Sequence, residues 1–308
     1  MLLEMLKYMR PEGSDTQREF CEVYLDPIMG NPDQFGNYVL EVGEAPTIAF
    51  MAHHDTVHKS GGYQTVLVDD EGYAYVPSSS CLGADCTTGV WLILEMIKAQ
   101  VPGVYVVHAA EEVGCVGSSS LVKSKPSWLS RINVAMSFDR WGTQSIITHQ
   151  LDRRTASEKF AVSLEDTLNL KLSADDGGSY TDSNEYADIV PECTNVSVGY
   201  YSQHTKKECQ DLDYAYKLRD ALISADWSGL VIDRDPLILE YASDYKHYYG
   251  GGSYNYSDYR GEFYDPMTDL VEQHPEEVAG FLRDLGYSTY DMLDELALSY
   301  DQGVKNVG

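Results

Sequence analysis

The chain reads as an α/β fold: a mostly parallel central sheet with helices on both faces, and a small helical appendage at the C-terminus. Three observations point there. Continuous apolar runs at Thr47 to Ala52, Val104 to Val107 and Asn133 to Phe138 have the composition of strands buried on both faces. A long buried helix, TTGVWLILEMIKA from Thr87, lies between the first two. The alternation of strand and helix favours parallel pairing.

In chain order, Leu2, Leu3, Leu6 and Met9 recur at helical spacing until Pro11 stops the pattern. A second helix starts after Ser14, where Ser14 and Gln17 have capping-box spacing and Phe20, Val23 and Tyr24 form the expected buried stripe. Strands follow at Tyr38 to Val42, Thr47 to Ala52, Thr65 to Val68 and Tyr73 to Val76, the last two joined through a turn at Asp69 to Gly72. After the helix and strands already named come a strand at Thr194 to Val198 and a helix from Asp211 to Ser224 with Leu212, Ala215, Leu218 and Leu222 on one face. Three segments result. Residues 1–226 form the main domain, residues 227–265 a connector rich in tyrosine and glycine, and residues 266–308 the appendage of two amphipathic helices, PEEVAGFLRDLG and STYDMLDELAL.

Composition narrows the function. With 22 basic against 49 acidic residues the net charge is −27, which repels nucleic-acid phosphate and anionic headgroups and attracts cations. No nucleic acid and no membrane are expected as partners. The N-terminal stretch MLLEMLKYMR lacks the features of a signal peptide, so a cytosolic location is expected. The six cysteines include no CxxC pair and read as free, mostly buried thiols.

The residues able to carry chemistry gather where strands end, the edge at which parallel α/β sheets build their sites. The strand TIAFMA runs into HHDTVH, placing His53 and Asp55 at its mouth, with His54 and His58 as chemical rivals. Asp85 in LGADCTTG precedes the buried helix, where a carboxylate is also an ordinary N-cap. Glu111 and Glu112 follow the strand VYVVHAA, two like charges side by side whose crowding raises a pKa unless a cation is near. Asp139 ends NVAMSF, and His204 follows TNVSVG in GYYSQHTKKE. Each alone is weak; together they supply two imidazoles and several carboxylates to one sheet edge, a ligand set suited to zinc or another first-row divalent ion.

The order of these motifs resembles that of the co-catalytic zinc exopeptidase superfamily, which includes leucyl aminopeptidases and their deacylase and dipeptidase relatives. HHD at His53 to Asp55, LGAD at Asp85, EEVG at Glu111 to Gly114, FDR at Asp139 and SQH at His204 match its pattern in order. The resemblance implies two zinc ions, with cobalt or manganese as substitutes. Asp85 would bridge them, His53 and Asp139 completing one site, Glu112 and His204 the other. Asp55 would orient His53, and Glu111 would serve as general base toward a water shared by the ions. The stretch GGSYTDS, Gly177 to Ser183, resembles the Gly-rich Thr-Asp segment before the last histidine, with Asp182 organising the loop. The stretch between Asp139 and His204 is too short for the lid domain of the two-domain relatives, which favours the compact aminopeptidase branch. The implied activity is hydrolysis of the N-terminal peptide bond of a peptide or small amide, with a homo-oligomer as one assembly open to it. The alternatives are a carboxypeptidase or deacylase, and a non-catalytic interaction protein using the acidic surface and tyrosine-rich tail.

Overall fold

In the computed structural model, residues 1–241 are described, and beyond them only 271, 275, 278 and 279. The chain divides into two units, Met1–Tyr249 and Gly250–Gly308, and every candidate site residue lies in the first. Most of the expected tyrosine-rich connector and, apart from those four positions, both amphipathic helices lie outside the described residues.

Seven strands build the central sheet: β1 Tyr38–Val42, β2 Ile48–His53, β3 Gly103–His108, β4 Val134–Arg140, β5 Ser145–Ile147, β6 Ser173–Asp175 and β7 Glu192–Ser197. Their spatial order is β6-β5-β7-β4-β2-β3-β1. The middle of the sheet is parallel, β7 with β4, β4 with β2 and β2 with β3, while β1 lies antiparallel on the edge. The register sets His53 beside His108, so β2 and β3 end together.

The sheet separates two cores, and alternation along each strand assigns side chains to them. Phe50 and Ala52 of β2, with Tyr105 and Val107 of β3, face a core shared with the helices Ala84–Lys98, Glu158–Leu168 and Leu212–Ser224. Ala49, Met51, Val104 and Val106 face the other core, with Leu121, Trp128 and Tyr186. Burial on both faces is the reason these strands read as unbroken apolar runs. Gly89 lets the helix Ala84–Lys98 press onto the sheet: a Cβ there would stand 2.2 Å from Phe138 O and 2.5 Å from Cys86 Sγ.

Several expectations need correction. The first helix spans only Leu2–Met5, because Tyr8 and Met9 turn into a two-residue strand paired with Tyr63 and Gly62. In the second, Asp15–Phe20, Ser14 accepts from Gln17 N as expected, but the next turn, Cys21–Leu25, widens to a π-helix. That rotation buries Cys21 and Leu25 and leaves Val23 48% exposed. The helix Glu158–Leu168, capped by Ser157, went unread, as did Val116–Ser124. The packed chain also runs past Asp226. Trp227 stacks edge-on against Phe50, and Arg234, almost fully buried, donates to the carbonyls of Ala187, Val190 and Pro191. Among the described residues no helix is long and apolar enough to cross a membrane.

Candidate metal centre

The parallel strands β2, β3 and β4 deliver their C-terminal ends to one edge, and the expected residues converge there. His53 is the last residue of β2 and fully buried. Its Nε2 lies 3.2 Å from Asp85 Oδ1, 3.5 Å from Asp139 Oδ1 and 3.8 Å from Glu111 Oε2. From the opposite side, His204 Nε2 lies 3.1 Å from Asp85 Oδ2 and 3.2 Å from Glu112 Oε2. Asp85 therefore turns one oxygen to each histidine. His204 holds its place with φ of +62°, a left-handed conformation uncommon outside glycine and typical of over-determined functional positions.

The side chains expected to act together lie together: His53 near Asp139, His204 near Glu112, and Asp85 beside both histidines. Ligand atoms of His53, Asp85 and Glu112 also lie within 4.8 Å of one another, as do those of His53, Cys86 and Asp139. Cys86 is an unsuited ligand, since its thiol donates to Phe138 O at 3.1 Å and burial, with the Asp139 charge, pushes its pKa well up. The rival histidines are excluded by place. His54 contacts Gln17 Nε2 and Gly36 O, and His58 contacts Thr56, Gln64 and Cys81 O. Burial lowers the pKa of both, His58 to about 4, so they are neutral packing groups.

Asp55 does more than orient one ring. Its Oδ1 accepts from Glu111 N at 3.1 Å and its Oδ2 from Glu112 N at 3.0 Å, while His53 Nδ1 lies 3.1 Å from Asp55 O and 3.3 Å from Oδ1. One buried carboxylate thus fixes the two-glutamate turn and the His53 tautomer, leaving Nε2 free as acceptor.

Electrostatics favours a cation. Burial, opposed by His53 and reinforced by Asp139 and Asp182, pushes the Glu111 carboxyl up to about 10. Burial and the Asp85 charge raise Asp139 to about 7, and burial with the Asp85 charge also raises Glu112. The histidines move the other way: against their burial, Asp85 and Glu112 lift His204 to about 11, and Cys86 and Glu111 lift His53. Against its burial, His204 and His53 hold the Asp85 carboxyl well below the usual range, so the strain of crowding falls on Glu111, Glu112 and Asp139, which a cation would relieve.

The residues fit zinc. Two ligands on one tetrahedral ion at ~2.0–2.2 Å stand roughly 3.4 Å apart, and the separations here run from 3.1 to 3.5 Å. Glu112 Oε1 is buried with no hydrogen-bond partner among the described residues.

Sequence reasoning missed several supporting residues. Thr181 Oγ1 donates to Asp139 Oδ2 at 2.8 Å, inside the segment from which only Asp182 was singled out. Asn195 grips the Asp139 backbone, accepting from its N–H at 2.9 Å and donating to its carbonyl at 2.8 Å, and Tyr200 Oη donates to the same carbonyl. Asp182 instead lies 3.1 Å from His108 Nδ1, whose Nε2 lies 2.8 Å from Tyr186 Oη. Glu208, buried beneath the Asp85 loop, was also unread; its only sequence signal was an acid four residues after His204. Arg140, Trp141, Ser179, Tyr180 and Gln203 join the ligands in lining a cleft of about 380 Å³.

With this geometry in place, residues 37–186 match the model of Peptidase family M28, a span that takes in every candidate except His204. Over that span, just under half of the chain, the sequence is similar to Peptidase family M28. Aminopeptidase PepT from Bacillus cereus superposes with a TM-score of 0.59 at 14% identity, covering 72% of this chain and 95% of that one. A tripeptidase from Staphylococcus aureus gives 0.59 at 13% identity, with 72% and 95% covered. The Pyrococcus horikoshii TET1 peptidase gives 0.55 at 14% identity, with 73% and 100% covered. At such identities the likeness is one of fold. A search of the curated proteins finds no match. Between Asp139 and His204 the described chain builds β5, β6, β7 and the helix Glu158–Leu168 of the main domain, with no separate lid.

Proposed function

We propose that this chain is a dinuclear zinc aminopeptidase of the M28 type. The observation that carries the reading is Asp85, whose two oxygens face His53 on one side and His204 on the other. His53 and Asp139 would hold one ion, Glu112 and His204 the second. The bound ions would supply Lewis-acid polarisation of the scissile carbonyl and lower the pKa of water at the site.

The chain's own residues do the rest. Glu111, 3.8 Å from His53 Nε2 and open to the cleft, takes the proton from the attacking water and returns it to the departing amine. It can do so only when ionised, which the positive charge of the occupied centre secures against the burial that otherwise keeps it protonated. Asp55 holds Glu111 and Glu112 through their amides, so base and ligand keep a fixed relation. Trp141 and Tyr180, 45% and 40% exposed on the cleft wall, offer apolar surface to a substrate side chain. The acidic character of the chain favours the ammonium of a free peptide N-terminus.

One observation favours a carboxypeptidase or deacylase instead: Arg140 lines the cleft and its Nε has no partner among the described residues. Its guanidinium is already committed to Asp175 Oδ2 at 3.2 Å and Gly177 O at 3.1 Å, which weakens that reading. Zinc-loaded protein tested on paired free and N-acetylated peptides separates them. Hydrolysis confined to free N-termini supports the aminopeptidase; faster cleavage of blocked peptides moves the assignment to the alternative. An assembly of identical chains belongs to the proposal, since the Pyrococcus horikoshii TET1 peptidase is described as assembling into a tetrahedron or octahedral shell; mass in solution tests it.

A further inference from the structure

Glu208 is 2% exposed, yet no basic side chain pairs with it among the described residues. Four consecutive backbone amides do. Its Oε2 accepts from Leu82 N at 2.9 Å and Gly83 N at 3.0 Å, and its Oε1 from Ala84 N at 2.8 Å and Asp85 N at 3.2 Å. Successive N–H groups at a helix start form a concave anion site, and here the chain fills it with its own carboxylate. Gly83 makes the curl possible with φ of +72°, and a Cβ there would stand 2.7 Å from His58.

The two ends of this contact carry metal-site residues. The amide run ends on Asp85, whose ψ of 107° swings it out of helical geometry toward the site. Glu208 closes a turn through its N–H to Thr205 O at 3.1 Å, one residue after His204. Two positions on, in the short strand Cys209–Asp211, Gln210 accepts from Thr88 Oγ1 at 2.5 Å, so the segment after Glu208 grips the helix a turn beyond Asp85.

We infer that Glu208 is a positioning residue of the metal centre: its carboxylate ties the loop carrying Asp85 to the loop carrying His204 and so sets the spacing between those two ligands. This rests on the dinuclear reading above. Removing the carboxylate orphans four buried amides and frees Asp85 and His204 to drift apart, while His53 and Asp139, held from β2 and β4, keep their places. The ion held by Glu112 and His204 loses the fixed position of two of its three ligands and suffers most, while the other loses only that of Asp85.

The test uses the full chain, with zinc affinity measured by competition against a chromophoric chelator and the visible spectrum of the cobalt-substituted protein as a second readout. In Glu208→Gln the second equivalent should bind about 10–100-fold more weakly, the usual effect of losing a residue behind a ligand, and the first should lose clearly less than the second. The cobalt bands of the second equivalent should change with it. Glu208→Asp, which keeps the charge on a shorter stem, should recover part of the affinity and carries the same test should the glutamine variant not fold. Leu222→Ala, a core change in the helix Leu212–Ser224 remote from the ligands, controls for stability alone. Wild-type affinity for both equivalents in the Glu208 variants overturns the role, as does an equal loss in Leu222→Ala. Wild-type protein that binds no zinc overturns this inference and the dinuclear reading together.

Discussion

Replacing Asp55 by asparagine changes one atom at the back of the metal centre and should be felt in both stability and metal binding. The carboxylate accepts from Glu111 N at 3.1 Å and Glu112 N at 3.0 Å, with His53 Nδ1 3.3 Å from Oδ1, and the side chain is fully buried. An amide presents one acceptor oxygen and one NH₂ group. Whichever way it flips, at least one donor then faces another donor in a site that water does not reach. Losing one hydrogen bond to a charged acceptor costs roughly 2–3 kcal/mol. For a domain of this size that is a drop in melting temperature of roughly 5–10 °C. The His53 ring also loses its orientation, so zinc affinity should fall about 10–100-fold. Thermal melts with and without zinc, together with chelator competition, measure both. An Asp55→Asn protein with wild-type melting temperature and wild-type zinc affinity would refute the assignment of Asp55 as the clamp.

Three further outcomes follow from the same geometry. Glu111→Gln should keep both zinc equivalents and lose turnover by ~100-fold or more, because the amide preserves shape but takes no proton; near-normal kcat removes Glu111 from its role. Chelation should lower the melting temperature as well as abolish hydrolysis, since metal a hundredfold above its Kd stabilises by about 2.7 kcal/mol; identical melts with and without chelator contradict it. Ending the chain at Asp226 should destabilise the domain, because Trp227 and Arg234 are lost and Glu192 Oε1 loses the Asp233 and Arg234 amides, keeping only Ser157 Oγ as donor; an unchanged melt of that truncation shows the segment to be dispensable.

The parts of the fold legible in the sequence are those buried on both faces. β2 and β3 announce themselves because every position from Ile48 to His53 and from Gly103 to His108 is buried, and the run stays apolar until the closing histidine. The candidate site residues were legible for a related reason: a chain leaving a buried strand soon turns polar, so His53, Glu111, Glu112 and Asp139 stand out. What stayed hidden acts across the chain. Glu208 reaches back 126 residues to Leu82, and Asn195 reaches 56 to Asp139, so no local pattern marks either. The short strands β5 and β6 carry three residues each, too few for a period, and the N-terminal helix ends early only because Tyr8 meets Tyr63. Arg234 hides in a polar, proline-containing stretch because its burial depends on carbonyls at Ala187, Val190 and Pro191.

Anomalous diffraction at the zinc edge from metal-loaded crystals tests the shared-carboxylate centre most directly. The account predicts two peaks, one between His53, Asp139 and Asp85 Oδ1, the other between His204, Glu112 and Asp85 Oδ2. No peak at this edge of the sheet, or a single peak held by His53, Cys86 and Asp139 with Asp85 unligated, would contradict it.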